Sequence, residues 1–265
     1  GKHVLCEKPM ALTLKECQAM IDACKTAGVQ LAIGHTIRFF GTFRSVRRLV
    51  TEGVIGTPVS GSFDRTGATK PRRVDDDPRW SGHWREDARN SGGSVLEGFI
   101  HELDCTRCVF GTVAGVSADI AGNQEYDGYL SPQTVQGLVR FESGALVTAR
   151  TGSAVGVPSR GYWIGGTEGG LRFDRWGQPV LLYRPEHDEP EEVAAETNNP
   201  YTVELEDLLA AVHGEVDEPE NSGRNGLENV GLGLAFYRSC ETGTRVSFTD
   251  GVPDLPEDYR NTRFT

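Results

Sequence analysis

A carboxylate and an imidazole lie four residues apart in the middle of the chain. Glu97 and His101 follow the glycine pair Gly92-Gly93, inside an apolar run that predicts a helix. Residues four apart share one face of a helix, so the two side chains are expected to be presented together. This pairing suits proton transfer near neutral pH. The structural alternative is a salt bridge on a helix surface, or a histidine whose hydrogen bonds are satisfied within the core.

Asp104 lies three residues beyond His101, one turn further along the same predicted helix. From there its carboxylate is placed to accept a hydrogen bond from the second ring nitrogen and so to fix the tautomer. The glycine pair before the helix strengthens a functional interpretation, because glycine permits close approach of the backbone to a ligand. We therefore predict that Asp104 belongs to the same substrate site.

A lysine near the start of the chain is a candidate partner for this site. The apolar run at residues 4–6 reads as a buried strand, and Lys8 follows it directly. In open α/β sheets, ligands bind at the carboxyl ends of the strands. A lysine there can donate to a substrate oxygen and stabilise developing negative charge. The alternative is a surface lysine ahead of a proline that begins a helix.

The segments around these residues predict how they are positioned. A helix is expected from Thr13, which forms a capping box with Glu16, to a C-cap at Gly28. It lies between two short strands, giving a βαβ unit. His35 and Arg38 follow the second strand and are predicted to face the cleft, although Arg38 could instead cap a structural carboxylate.

The rest of the chain predicts one long loop, a helix and a sheet. Residues 67–91 form a polar loop, and loops of this length are often functional, so Trp84 and Arg85 within it are predicted substrate contacts. A central helix is expected over residues 94–110. Successive strands joined by short turns then predict a mainly antiparallel sheet, followed by an acidic loop at 186–196. The closing helices are predicted at 201–213 and 223–242.

Composition excludes several classes of function. The 265 residues carry a net charge of −11 and a pI near 5.1, which argues against nucleic acid or an anionic membrane as a partner. Apolar runs are too short to span a membrane. Six cysteines without a disulfide pattern predict reduced thiols and a cytoplasmic location. The Cys105–Cys108 pair is expected to supply core thiols and Asp75–Asp77 a solvated loop, so no metal site is predicted.

Taken together, these pieces resemble the glucose-fructose oxidoreductase / inositol dehydrogenase / rhizopine catabolism (Gfo/Idh/MocA) family. The resemblance covers nearly the whole chain, and the joint presence of two of its motifs is fairly specific. The matching stretches are Val4-Leu5-Cys6-Glu7-Lys8-Pro9, Gly34-His35 with Arg38-Phe39, Glu52-Gly53-Val54-Ile55-Gly56, Gly92-Gly93 through His101 and Asp104, Gly165-Gly166-Thr167-Glu168-Gly169, and Ser222-Gly223 to Gly226.

The resemblance implies a fold of the α/β plus α+β class. Residues 1–37 would be the C-terminal remnant of a dinucleotide-binding Rossmann domain. Residues 38–265 would be an α/β domain for substrate binding and oligomerisation, with a large open, mostly antiparallel sheet and a C-terminal helix that packs back on the Rossmann part. A homo-oligomer, dimer or tetramer, would form through this sheet.

The resemblance also implies the chemistry. The cofactor would be NAD or NADP, contacted by Glu7, Lys8 and Pro9, and the substrate a sugar, inositol or related polyol. Hydride transfer would use Lys8, His101 and Glu97 as catalytic residues, with Glu97 at a position that is commonly Asp in the family. The family's earlier strands and glycine-rich loop have no counterpart here, so we expect a fragment or a late-starting gene model, and weak cofactor binding if the chain stands alone.

Two other functions remain open at this stage. The same scaffold supports enzymes that retain the cofactor while cleaving glycosides or epimerising sugars, which would show no net production of NAD(P)H. A non-catalytic relative that binds a ligand or a partner protein is a third possibility. Retention of Lys8, His101 and Asp104 argues against that last reading.

Overall fold

The computed structural model describes residues 1–68, 88–121, 125–126, 129–130, 134–152 and 154–261. The helices are α1 (Leu14–Ala27), α2 (Gly41–Thr51), α3 (Ala88–Ser91), α4 (Ile100–Phe110), α5 (Pro200–His213) and α6 (Gly223–Thr242), with a 3₁₀ turn at Thr36–Phe39 and a π turn at Val95–Phe99. The strands are β1 (Val4–Cys6), β2 (Leu31–Ile33), β3 (Pro58–Ala68), β4 (Val113–Ala121), β5 (Glu125–Tyr126), β6 (Tyr129–Leu130), β7 (Thr134–Phe141), β8 (Leu146–Gly152), β9 (Ala154–Gly166), β10 (Gly170–Phe173), β11 (Val180–Tyr183), β12 (Glu191–Val193), β13 (Val246–Thr249) and β14 (Val252–Pro253).

The first elements form the predicted βαβ unit. Strands β1 and β2 pair in parallel, and α1 connects them. The helix begins where the Thr13 hydroxyl accepts a hydrogen bond from the Glu16 amide at 3.1 Å. It ends at Gly28, whose φ of +63° is the left-handed conformation that glycine adopts without steric cost. Both predicted helix ends are therefore confirmed.

A ten-stranded sheet forms the body of the molecule, in the order β12-β11-β10-β9-β3-β8-β7-β4-β13-β14. Its neighbouring strands are antiparallel except for β3 and β8, which are parallel. The predicted fold class is therefore confirmed. The interpretation of residues 186–196 as loop alone was wrong, because Glu191–Val193 pairs with β11. The acidic residues of this segment gave no strand signal in the sequence, although charged side chains are tolerated on an edge strand.

Helices α4 and α6 cover one face of this sheet and enclose the core. Phe236 of α6 packs directly over β7, where a Cβ added at Gly137 would lie 2.3 Å from its ring. The opposite face remains open and carries a groove of about 630 Å³ lined by Asp64, Asp119 and Arg150 among others. The two faces therefore differ: one is apolar and covered by helices, and the other exposes both charged residues and the apolar side chains Leu138, Leu146 and Trp163.

Helix α6 also contacts the βαβ unit. The Ile33 amide donates to the Asn221 carbonyl at 2.7 Å, and Ala32 forms a bridge with Ser222 just before α6 begins. A Cβ at Gly223 would lie 2.8 Å from Leu31, so the helix start and β2 approach closely. All six cysteines are free thiols. None of the described helices is long and apolar enough to cross a membrane.

Candidate active site

Lys8 and Glu97 meet although they are 89 positions apart. Lys8 follows β1 at its carboxyl end, and the Lys8–Pro9 peptide is cis. Its Nζ donates to the backbone carbonyl of Glu97 and lies 3.5 Å from Glu97 Oε1. The Lys8 side chain is 14% exposed and that of Glu97 28%, so the pair is partly shielded but open to a ligand. Glu97 therefore pairs with Lys8, across the interval between β1 and the central helix.

The turn that carries Glu97 is not α-helical. Gly92 and Gly93 both adopt positive φ, of +78° and +81°, and the chain then forms the π turn. The predicted continuous helix over 94–110 is thus correct only from Ile100 onwards. A π turn disturbs the regular hydrogen-bond ladder and is frequent at functional sites. Here two consecutive carbonyls accept from cations, that of Glu97 from Lys8 and that of Gly98 from Arg65.

His101 lies beside the buried imidazole of His35. The ring centroids are 6.1 Å apart and the planes meet at 85°. Both ring nitrogens of His35, and Nδ1 of His101, are shielded from solvent and have no hydrogen-bond partner among the described residues. Burial, His35 and the positive charges of Lys8 and Arg65 lower the pKa of His101 to about 3. His101 is therefore a neutral imidazole at physiological pH and can accept a proton.

Asp104 does not orient His101, and this prediction was wrong. Its carboxylate forms a buried bidentate pair with Arg38, at 2.6 and 2.7 Å, and also accepts from Asn225 and Asn229. Burial would raise the pKa of Asp104, but Arg38 more than offsets this and holds the pKa well below its usual range. The alternative considered for Arg38, that it caps a structural carboxylate, matches this geometry.

The chain matches a known family in its sequence. A family profile described as the C-terminal alpha/beta domain of the GFO_IDH_MocA oxidoreductases matches residues 47–248. The chain belongs to this oxidoreductase family. A second profile, the NAD-binding Rossmann fold of the same family, matches residues 1–35. The resemblance predicted from the sequence is confirmed.

Named relatives of this GFO_IDH_MocA chain act on sugars. A 2,7-anhydro-N-acetylneuraminate hydratase of Escherichia coli is 36% identical over 65% of this chain and 45% of its own length. A 1,5-anhydro-D-fructose reductase of Ensifer adhaerens is 28% identical over 95% of this chain and 74% of its own. The crystal structure of an aldose-aldose oxidoreductase from Caulobacter crescentus, complexed with glycerol, has 29% identity and a TM-score of 0.78, covering 93% of this chain and 72% of that one.

The residues of this GFO_IDH_MocA chain fit a nicotinamide cofactor at the β1 edge. Glu7, Lys8 and Pro9 follow β1 at the edge where α/β sheets bind dinucleotides. The ends of β1 and β2 approach closely there, since a Cβ at Gly34 would lie 3.2 Å from Glu7 Oε2. Both ring nitrogens of His35 and Nδ1 of His101, which have no partner among the residues that the structure describes, are polar groups with which a substrate hydroxyl could form hydrogen bonds.

The sequence did not predict three residues that lie beside the site, namely Arg65, Glu102 and Tyr162. The fully buried Glu102 accepts from the Tyr162 hydroxyl at 3.2 Å and lies 3.3 Å from Arg65 Nε. Burial raises the pKa of Glu102. Strand alternation could have signalled Arg65, because it falls on the same face of β3 as the core residue Phe63 and so places a charge towards the core. Trp84, Arg85 and Asp75–Asp77 lie outside the described residues.

The buried histidines predict a characteristic dependence of stability on pH. Burial lowers the pKa of His35 from 6.5 to about 4, so the unfolded chain binds a proton there below pH 6.5 and the folded chain does not. Stability is therefore lost as pH falls from 6.5 towards 4. Between pH 7 and pH 5, His35→Leu is expected to lose about 2 kcal/mol less unfolding free energy than the wild type, measured by urea denaturation at both pH values.

The matched control for this comparison is His213→Leu. His213 is an exposed histidine on α5, with 64% of its side chain accessible. Its replacement should leave the difference between pH 7 and pH 5 as it is in the wild type. Equal acid sensitivity of His35→Leu and the wild type would mean that His35 is protonated in the folded protein.

Proposed function

We propose that this chain is part of an NAD(P)-dependent oxidoreductase that transfers hydride between a nicotinamide cofactor and a CH–OH group of a sugar, inositol or related polyol. The observation that carries the proposal is the contact of Lys8 with the π turn that leads directly into His101, whose ring nitrogen Nδ1 has no partner among the described residues. Alcohol oxidation uses a base that takes the hydroxyl proton and a cation that stabilises the negative charge developing on the oxygen.

In the oxidation direction, a substrate hydroxyl loses its proton to His101. Lys8 donates a hydrogen bond to the same oxygen and stabilises the negative charge that develops there. A nicotinamide held beside Lys8 would supply the hydride acceptor for the carbon that becomes the carbonyl. In reduction, His101 returns the proton to the oxygen. Glu97, paired with Lys8 and 28% exposed, orients the lysine and contacts a neighbouring hydroxyl.

Two sides of one cleft contribute to this scheme. Residues 1–37 supply Glu7, Lys8 and Pro9 to the cofactor, and residues 38–265 supply the substrate side with Glu97 and His101. His35, whose ring nitrogens lack partners among the described residues, is a substrate contact in this proposal. Trp84 and Arg85 remain predicted contacts on the strength of the sequence alone. In this proposal, Arg38 and Asp104 stabilise the contact between the central helix and α6 and do not contact the substrate.

The test is formation of NAD(P)H by the intact natural protein. Absorbance of the reduced nicotinamide is followed with NAD⁺ and with NADP⁺ against a panel of aldoses, inositols, anhydro sugars and sugar acids. Dehydrogenase activity gives stoichiometric reduced cofactor with at least one member. Absence of hydride transfer in either direction across the panel, by a protein that binds NAD(H), would refute the simple dehydrogenase.

A second candidate is a redox-neutral reaction in which the cofactor is regenerated in each cycle. The similarity to a protein named as a hydratase favours this candidate. The same Lys8 and His101 would serve an oxidation and a later reduction. Conversion of the sugar, followed by chromatography, without accumulation of NAD(P)H would distinguish it from the dehydrogenase.

The open face of the sheet is the proposed surface for self-association. Leu138, Leu146 and Trp163 on this sheet are between 37% and 44% exposed. Burying them against a second copy would remove apolar area from water. Sedimentation should therefore show a dimer or tetramer for the wild type and a smaller species for Leu138→Glu. An unchanged mass for Leu138→Glu would place the interface elsewhere.

A further inference from the structure

Two arginines oppose each other on the side of the sheet that faces α4. Arg65 of β3 and Arg160 of β9 are direct partners in the antiparallel register. Side chains that are directly opposite in such a pair lie on the same face, and like charges there repel. Arg65 points to α4, because its guanidinium contacts Glu102 and the Gly98 carbonyl. The register therefore places Arg160 on this face as well.

The described residues balance these two charges only in part. Glu102 is the one described carboxylate that pairs with Arg65, at 3.3 Å, and it is fully buried. Burial raises the pKa of Glu102, which weakens it as a counter-ion. The Arg65 Nη2 donates at 2.7 Å to the Gly98 carbonyl, a neutral acceptor. Arg160 is exposed, and its side chain has no hydrogen bond or ion pair to any described residue.

The charge of Arg65 lies close to the proton-transfer residue. Gly98 precedes His101 by three residues, and its carbonyl holds Arg65 in place. The charge of Arg65 is one of the causes of the low pKa of His101. A side chain at position 98 would crowd this contact, since a Cβ there would lie 3.2 Å from Arg65 Nη2. The guanidinium is therefore a built part of the site, not a chance surface charge.

We propose that Arg65 and Arg160 bind an oxyanion carried by the substrate, so that the sugar oxidised at this site is an acidic one. This inference rests on the proposed function. Guanidinium groups bind carboxylates and phosphates through paired, charge-assisted hydrogen bonds. A bound anion also relieves the repulsion between the two arginines. The chain carries a net charge of −11 and repels acidic sugars at a distance, so local positive charge is needed to hold one.

Calorimetric titration of the NAD(H)-saturated intact protein tests the proposal without requiring turnover. The probes are D-glucuronate, D-gluconate and N-acetylneuraminate, with D-glucose and sorbitol as neutral counterparts and D-glucose 6-phosphate as the alternative source of an oxyanion. We expect at least one anionic probe to bind at least tenfold more tightly than the neutral sugars. We expect Arg160→Gln and Arg65→Gln each to weaken that binding about 10- to 100-fold.

Arg140→Gln is the matched control, because Arg140 is an exposed arginine on the same sheet, in β7. It should leave all affinities unchanged. Arg160→Gln removes an exposed side chain, so it keeps the test valid should Arg65→Gln fold poorly. Tighter binding of the phosphate than of the carboxylates would identify a sugar phosphate as the substrate class.

The proposal is overturned if no anionic probe binds more tightly than the neutral sugars. It is also overturned if Arg160→Gln binds the anionic probes with the affinity of the wild type. Failure of the proposed function has a different signature. Anions would then bind in a manner that depends on Arg160, while no probe would exchange hydride with the cofactor. Conversely, hydride transfer with neutral sugars at a rate that Arg160→Gln does not change would support the proposed oxidoreductase function and contradict the proposed anion site.

Discussion

Replacement of His101 by alanine is expected to lower kcat for sugar oxidation by about 10²- to 10⁴-fold, the usual contribution of a general base. His101 holds a ring nitrogen without a partner among the described residues and a pKa depressed to about 3, which keeps it neutral. Without it, the substrate proton must pass to water. Steady-state rates of NAD(P)H formation measure the loss, and KM should change far less than kcat.

The pH profile of the wild type gives the same assignment a second test. A base with a pKa near 3 stays unprotonated down to acid pH, so the rate should not decline through a titration near 6.5. His213→Gln, on the exposed surface of α5, is the matched control and should retain the wild-type rate. An alanine variant within a factor of three of the wild type would remove His101 from proton transfer.

Replacement of Asp104 by asparagine is expected to destabilise the fold by about 3–5 kcal/mol. The substitution keeps the size of the side chain but leaves the Arg38 guanidinium buried without its counter-charge. Asn225 and Asn229, which donate to the same carboxylate, would face an amide that cannot accept as many hydrogen bonds. Urea denaturation at pH 7 measures the change as a lower midpoint at similar slope.

Glu52→Gln is the control for the loss of a carboxylate. Glu52 pairs with Arg48 on the surface, where both side chains are about half exposed, at 51% and 45%. Such pairs contribute about 0.5 kcal/mol or less. A stable Asp104→Asn variant with a raised KM would instead support the role in substrate binding that the sequence predicted.

Much of the scaffold could be predicted because its signals are local. The cap at Thr13, the terminal Gly28 and the apolar periodicity of α1 and α6 lie within single segments, and both helices are where the spacing placed them. The Lys8 and His101 assignments needed more, since no spacing rule connects residues so distant in sequence. The family resemblance supplied that link. In the structure, Lys8 donates a hydrogen bond to the backbone of the π turn that precedes His101.

The features that escaped prediction depend on tertiary register. Asp104 was assigned to His101 because residues i and i+3 on a helix are close in space. Instead, the buried Asp104 carboxylate accepts hydrogen bonds from Arg38 and from Asn229 of α6. The opposition of Arg65 and Arg160 follows from the pairing of β3 with β9, and strands so far apart in sequence carry no local signal of their register. The π turn likewise has no side-chain pattern of its own.

A π turn contains one residue more than the α-helical turn it replaces, and one residue in an α-helix corresponds to a rotation of about 100°. Shortening Val95–Phe99 by one residue would therefore turn Glu97 away from Lys8 while leaving every functional side chain present in the sequence. For relatives of this chain, the length of this segment is as informative as its composition. A homologue that keeps Lys8 and His101 but is one residue longer or shorter between Val95 and Phe99 is expected to retain the functional side chains without their arrangement.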